Sequence, residues 1–145
     1  MNKHWAVLLL AIAATQAYAG DKEYTSRFCV YEDVNKYVLG TCKICKEDIG
    51  EKISFKVNKS IKSVMHIFIA PDGTSSANVI DNCKIFDENN FQCITNEQGY
   101  DIKKNKYTTN TVLTVTNGSW EQTHTMYRLG INDLIYIACG LEIKQ

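Results

Sequence analysis

Proline is almost missing from this chain: Pro71 is the only one in 145 residues. With so little proline, and with no long run of glycine, serine or like charge, no stretch reads as a linker, and nothing divides the chain internally. Long apolar runs are also scarce. The stretch from Trp5 to Ala14 is too short to span a bilayer, and no later segment approaches the roughly twenty apolar residues required. Excess charge of either sign is absent, since 16 Lys and Arg face 16 Asp and Glu. No global field therefore selects nucleic acid or an anionic surface. Catalytic signatures are lacking too: there is no GxSxG, no HExxH and no paired-carboxylate pattern. Beyond residue 19 the only histidines are His66 and His124.

Residues 1–19 combine a short basic start (Lys3, His4), an apolar middle and a small-residue site, Ala17-Tyr18-Ala19, which together read as a cleavable export signal. Residues 20–145 then form a single domain long enough to bury its own core. All six cysteines, Cys29, Cys42, Cys45, Cys83, Cys93 and Cys139, lie after the leader. An even set of thiols behind an export signal implies an oxidising compartment and structural disulfides. The expected location is periplasmic or secreted, with a bacterial-type leader.

The clearest pattern is the period of two that marks half-buried strands. Ile53, Phe55 and Val57 alternate with polar residues, and Ser63 to Ala70 is almost continuously apolar, as in a central strand. Pro71-Asp72-Gly73 turns the chain into a returning strand, Ser75 to Ile80. A three-residue loop at Asp87-Glu88-Asn89, with an asparagine at or after it in the left-handed conformation, places Phe86 opposite Asn90, Ile85 opposite Phe91 and Cys83 opposite Cys93; the alternative, a two-residue loop, shifts the register and leaves the cysteines diagonal. Asn117-Gly118 suits a type I′ turn. Folding about it pairs Val115 with Trp120, Leu113 with Gln122 and Thr111 with His124. Leu134 to Ile143 supplies a closing strand, with a short helix as the alternative. The fold class expected is mostly β, six to eight antiparallel strands in a sandwich or small barrel. A less regular, disulfide-tethered N-terminal segment precedes it, with a short helix possible after Asp33.

Accepting Cys83 with Cys93 leaves three of the fifteen possible connectivities. The structural reading bonds Cys42 and Cys45 separately to Cys29 and Cys139, and spacing does not choose between the two ways of doing so. The alternative reading makes Cys42-Lys43-Ile44-Cys45 a redox pair. A zinc site would need a second close ligand pair, which is not there, so neither metal nor cofactor is expected. His66, inside the most apolar strand, reads as a neutral imidazole satisfied by a backbone carbonyl. Lys103, Lys104 and Lys106, interleaved with Tyr100 and Tyr107, read as a solvated loop.

By elimination the expected activity is binding rather than catalysis. The partner is another exported or envelope protein, met as an inhibitor or immunity factor would meet it, without nucleic acid or membrane insertion. Tyr100, Tyr107, Tyr127, Trp120 and His124 are the candidate contact residues, because aromatics give large contact area at small entropic cost. The alternatives are a thiol-disulfide oxidoreductase and a structural subunit of an envelope assembly.

Overall fold

The computed structural model describes residues 22–30, 42 and 45–144. They form nine strands: β1 (Glu23–Val30), β2 (Lys46–Asn58), β3 (Ser63–Ile69), β4 (Ser75–Ile80), β5 (Cys83–Asp87), β6 (Asn90–Tyr100), β7 (Lys106–Thr116), β8 (Ser119–Arg128) and β9 (Ile131–Leu141). All belong to one antiparallel sheet in the order β4-β3-β2-β1-β9-β8-β7-β6-β5. The mostly β architecture is as expected, with more strands than the six to eight read from the sequence. The leader and the possible helix after Asp33 lie outside the described residues.

The surplus comes from β1 and the first half of β2. Lys46, Glu47, Asp48 and Glu51 give that stretch little strand propensity. It is held instead by its ladder to β1, in which Arg27 pairs with Glu47 and Phe28 with Lys46. An irregularity between those pairs and Thr25–Lys52 hides the period of two from the sequence. The segment read as a closing strand is β9, which is not helical.

The sheet is rolled rather than flat. Phe55 on β2 and Phe91 on β6 stand five strand steps apart in the order, about 24 Å in a flat sheet at the usual inter-strand spacing. Their rings lie 5.6 Å apart. The inner face therefore closes on itself around Tyr24, Ile53, Val64, Phe91, Leu113, Val115 and Trp120, with the Cys83–Cys93 bridge among them. Trp120 sends its indole N–H across Gly140 to the carbonyl of Thr25, 2.9 Å away. A Cβ on Gly140 would collide with that same carbonyl oxygen, so the close approach of β1, β8 and β9 requires glycine there.

A smaller cluster lies on the opposite face of the sheet: Cys29, Cys45, Ile137 and Cys139, with Cys42 and Leu134 against it. Its bridges are Cys29–Cys45 and Cys42–Cys139. This settles the pairing that spacing left open and tethers the N-terminal region to the last strand.

Two turns differ in detail from the sequence reading. In the β5–β6 hairpin Cys83 does face Cys93 and Ile85 faces Phe91, but Asp87 rather than Phe86 pairs with Asn90. Phe86 is extruded as a bulge, and the turn shortens to Glu88-Asn89 with neither Asn89 nor Asn90 left-handed. The bulge absorbs the missing residue, which is why the outer register is unchanged. At Asn117-Gly118 the register is as expected, yet only Gly118 has a positive φ, at 87°. A type I′ turn needs both. That turn occurs instead at Leu129-Gly130, with φ of 51° and 79°.

Candidate interaction surfaces

The first surface is the place where the roll fails to close. β4 and β5 are consecutive in the chain, joined by Asp81-Asn82, yet they are the two ends of the strand order. The chain changes partner here: Ile80 pairs with Val64 on β3, and Cys83 pairs with Cys93 on β6. The Cys83 N–H also donates to the Lys62 carbonyl, 3.0 Å away, so one strand bridges both sides at this point. Asn82, at φ 58°, makes the corner.

Beyond the corner the two sides separate. β6 runs on from Ile94 to Tyr100 after its last β5 partner, and β4 pairs only with β3. Val79, Ile80, Asp81, Asn82, Ile94, Thr95 and Asn96 line a cavity of about 460 Å³ at the vertex of this wedge. Both of its edges therefore carry backbone N–H and C=O groups without a ladder partner among the described residues. β4, with the sequence SSANVI, has no charge and no proline. The β5 edge is different: it is five residues long, carries Lys84 and Asp87, and is bent by the Phe86 bulge. Those are the devices that blunt an edge against pairing, and β4 has none of them.

The second surface is the far end of β6 to β9. Of the ten large apolar side chains that stand exposed among the described residues, five are here: Tyr100, Ile102, Tyr127, Leu129 and Ile131. Ile102 is fully exposed, and Tyr100 and Leu129 are each 71 % exposed. The β6–β7 turn beneath Ile102 is tightly built around Asp101. Its carboxylate accepts the Lys103 and Asn105 N–H groups, each at 2.8 Å, and the Arg128 guanidinium at 3.3 Å. These contacts, the Asn105 backbone N–H foremost, hold the Asp101 pKa below its ordinary value. Through Arg128 the same carboxylate links the β6–β7 turn to the Leu129-Gly130 turn. Leu129 is the costlier feature, because a leucine in the left-handed region is disfavoured.

The structure divides the contact residues read from the sequence. Tyr100 and Tyr127 belong to this exposed tip. Tyr107 is half-buried and lies across Gly99, whose lack of a side chain makes room for the phenol. Trp120 is 3 % exposed and a core residue, so it is not a surface anchor. His124 is half-buried, stacked on Tyr136 at 4.9 Å, with Nδ1 2.8 Å from the Thr111 hydroxyl. Ile102 and Leu129 were missed by sequence reasoning. A signal was available in Leu129-Gly130, a glycine between two strand-like runs, but leucine is not a turn residue.

His66 departs from its expected state. It is buried between Phe55, Phe68 and Trp120, with ring separations of 5.0, 4.2 and 5.9 Å. Its Nε2 has no hydrogen-bond partner among the described residues. Burial pushes the imidazole down to about 4. The two cysteines of the CxxC motif are bonded to different partners, and Cys45 is buried. They do not form the within-motif disulfide on which a redox reading depends.

The chain is thus a disulfide-bonded, antiparallel β domain with an open strand wedge and an apolar tip. Comparison with protein families, with curated proteins and with solved structures finds no match. Its three bridges suit an oxidising, exported environment, and among the described residues no helix is long and apolar enough to cross a membrane.

Proposed function

We propose that this chain is an exported binding protein that acts through protein–protein contact, as an inhibitor or immunity-type factor in the cell envelope or outside it. The supporting observation is the wedge between β4 and β6. Two uncharged or nearly uncharged strand edges, six and seven residues long, diverge from one covalent corner with their backbone groups unpaired among the described residues. An extended segment of a partner gains main-chain hydrogen bonds by adding to such an edge, and alternate side chains give selectivity. Val79 and Ile94, both exposed on the outer side of the vertex, supply apolar contact for those side chains.

The test is affinity capture from the native envelope with the disulfide-intact protein and with a Val79→Lys, Ile94→Lys variant. Lysine on an edge opposes strand addition, and both positions are exposed enough to leave the fold intact. Loss of a specific retained protein in the variant is the expected result. Retention of the same set by both proteins refutes the wedge as the contact.

A second reading, a subunit of an envelope assembly, draws on the same wedge, since a neighbouring copy can donate the added strand. Sedimentation velocity separates the two: concentration-dependent oligomers lost in the lysine variant favour assembly over capture of a different protein.

A further inference from the structure

From the tip, which shares only Tyr100 with the wedge, we infer that the β6–β7 and β8–β9 turns dock the protein on an anionic lipid surface. Three features carry this. The first is order along the projection. Ile102 and Leu129 stand at the two turn apices, and Tyr100, Tyr127 and Ile131 lie on the strand ends behind them. That is the order in which an interface receives groups: apolar side chains first, then the amphipathic tyrosines at headgroup level.

The second is charge. Lys103, Lys104 and Lys106 follow Ile102 directly, and Arg128 precedes Leu129. Among the described residues three acidic groups lie at this end: Asp101, ion-paired with Arg128, and Glu97 and Asp133, which share one cross-strand row behind the turns and stand against the three lysines. The described residues of this end therefore keep a cationic excess of about one charge, with Lys103 and Lys104 in the turn beside Ile102 and both unpaired carboxylates set back on the strands. Such juxtaposition matches a negatively charged headgroup layer within a Debye length.

The third is strain. Leu129 is held at φ 51° at the tip of a two-residue turn, where asparagine or glycine would sit without penalty. An outlier that serves no packing role, being 71 % exposed, is explained when its side chain is needed in contact with something outside the molecule. A planar, fluid surface accepts two convex turn tips as they stand, whereas a protein partner would need a matching concavity for each. The contact is shallow adsorption, with no segment crossing the bilayer.

The experiment is co-sedimentation of the disulfide-intact protein with vesicles of phosphatidylcholine alone and of phosphatidylcholine mixed equally with phosphatidylglycerol. Partition onto the mixed vesicles and not the neutral ones, weakening as salt is raised, is expected. Changing Lys103, Lys104 and Lys106 to Gln should cost about fivefold per lysine. Ile102→Ser and Leu129→Asn should each cost about tenfold through lost apolar burial. Thermal unfolding checks each variant, and Leu129→Asn is expected to lose vesicle binding while melting no lower than the parent. No partition onto the mixed vesicles overturns the inference. So does partition that both variant sets leave unchanged. Capture by immobilised polyglutamate without vesicle binding also overturns it, by assigning the tip to an acidic protein.

Discussion

Acidification offers the sharpest test of how this core is put together, because one buried imidazole dominates the expectation. His66 is 4 % exposed, ringed by Phe55, Phe68 and Trp120, and its Nε2 accepts no hydrogen bond. In the folded chain its pKa is lowered from 6.5 to about 4, because a charge there would be stripped of water with no anion to replace it. Between those two values the unfolded chain binds a proton that the folded chain refuses. Stability is thus fully present above the unfolded value and declines as the pH falls toward the folded one. At about 1.4 kcal/mol per pKa unit, the loss attributable to His66 is about 2 kcal/mol near pH ~5 and about 3 kcal/mol near pH ~4. That is a large part of the stability of a domain this size.

The assay is urea unfolding across this range, followed by the fluorescence of Trp120, the only tryptophan beyond residue 19 and a direct neighbour of the imidazole. His66→Phe keeps an aromatic ring in the cage and removes both the proton site and the unsatisfied nitrogen. Its stability should be at least that of the parent at neutral pH and should lack this share of the acid loss. His124 is present in both proteins and cancels in the comparison. If parent and variant lose stability in parallel between pH ~6.5 and ~4, the desolvated-imidazole account is wrong.

Other expectations follow from the same geometry. The Cys42–Cys139 bridge closes a separation of 97 residues and Cys83–Cys93 one of 10. By chain entropy, paired replacement with alanine should cost about 5 kcal/mol for the first and about 3 kcal/mol for the second. Urea midpoints that rank the two the other way refute that ordering. Gly140→Ala places a methyl against the Thr25 carbonyl and the Trp120 indole, and should destabilise by about 3 kcal/mol or more. A melting temperature within a degree or so of the parent's would show that β1 is not held against β9 as described. Leu129→Asn relieves a left-handed leucine and should stabilise by about 1 kcal/mol, read as a raised urea midpoint. No gain there would mean that the turn is unstrained.

What could be read in the sequence was local. Cys83 opposite Cys93 and Val115 opposite Trp120 were legible because a short hairpin loop fixes register and side chains alternate with a period of two. Even there the loop at Asp87 was misplaced by one residue, since a bulge at Phe86 depends on which side chain the core can accept. β1 and the start of β2 were illegible because their strand state comes from pairing with each other rather than from propensity.

The residues alone determined that the chain would be mostly β, with sulfurs serving as cross-links. Period-two alternation acts within a few residues of its own position, and the even thiol count and the scarcity of proline are properties of composition that need no tertiary contact to be read. Only tertiary structure decided which cysteine joins which, that nine strands roll into one sheet, and that His66 faces three rings. It also decided that β4 and β6 part from a common corner and that two distant turns share one apolar tip. Those outcomes rest on contacts between segments tens of residues apart, and their energies belong to the assembled sheet rather than to any stretch of sequence.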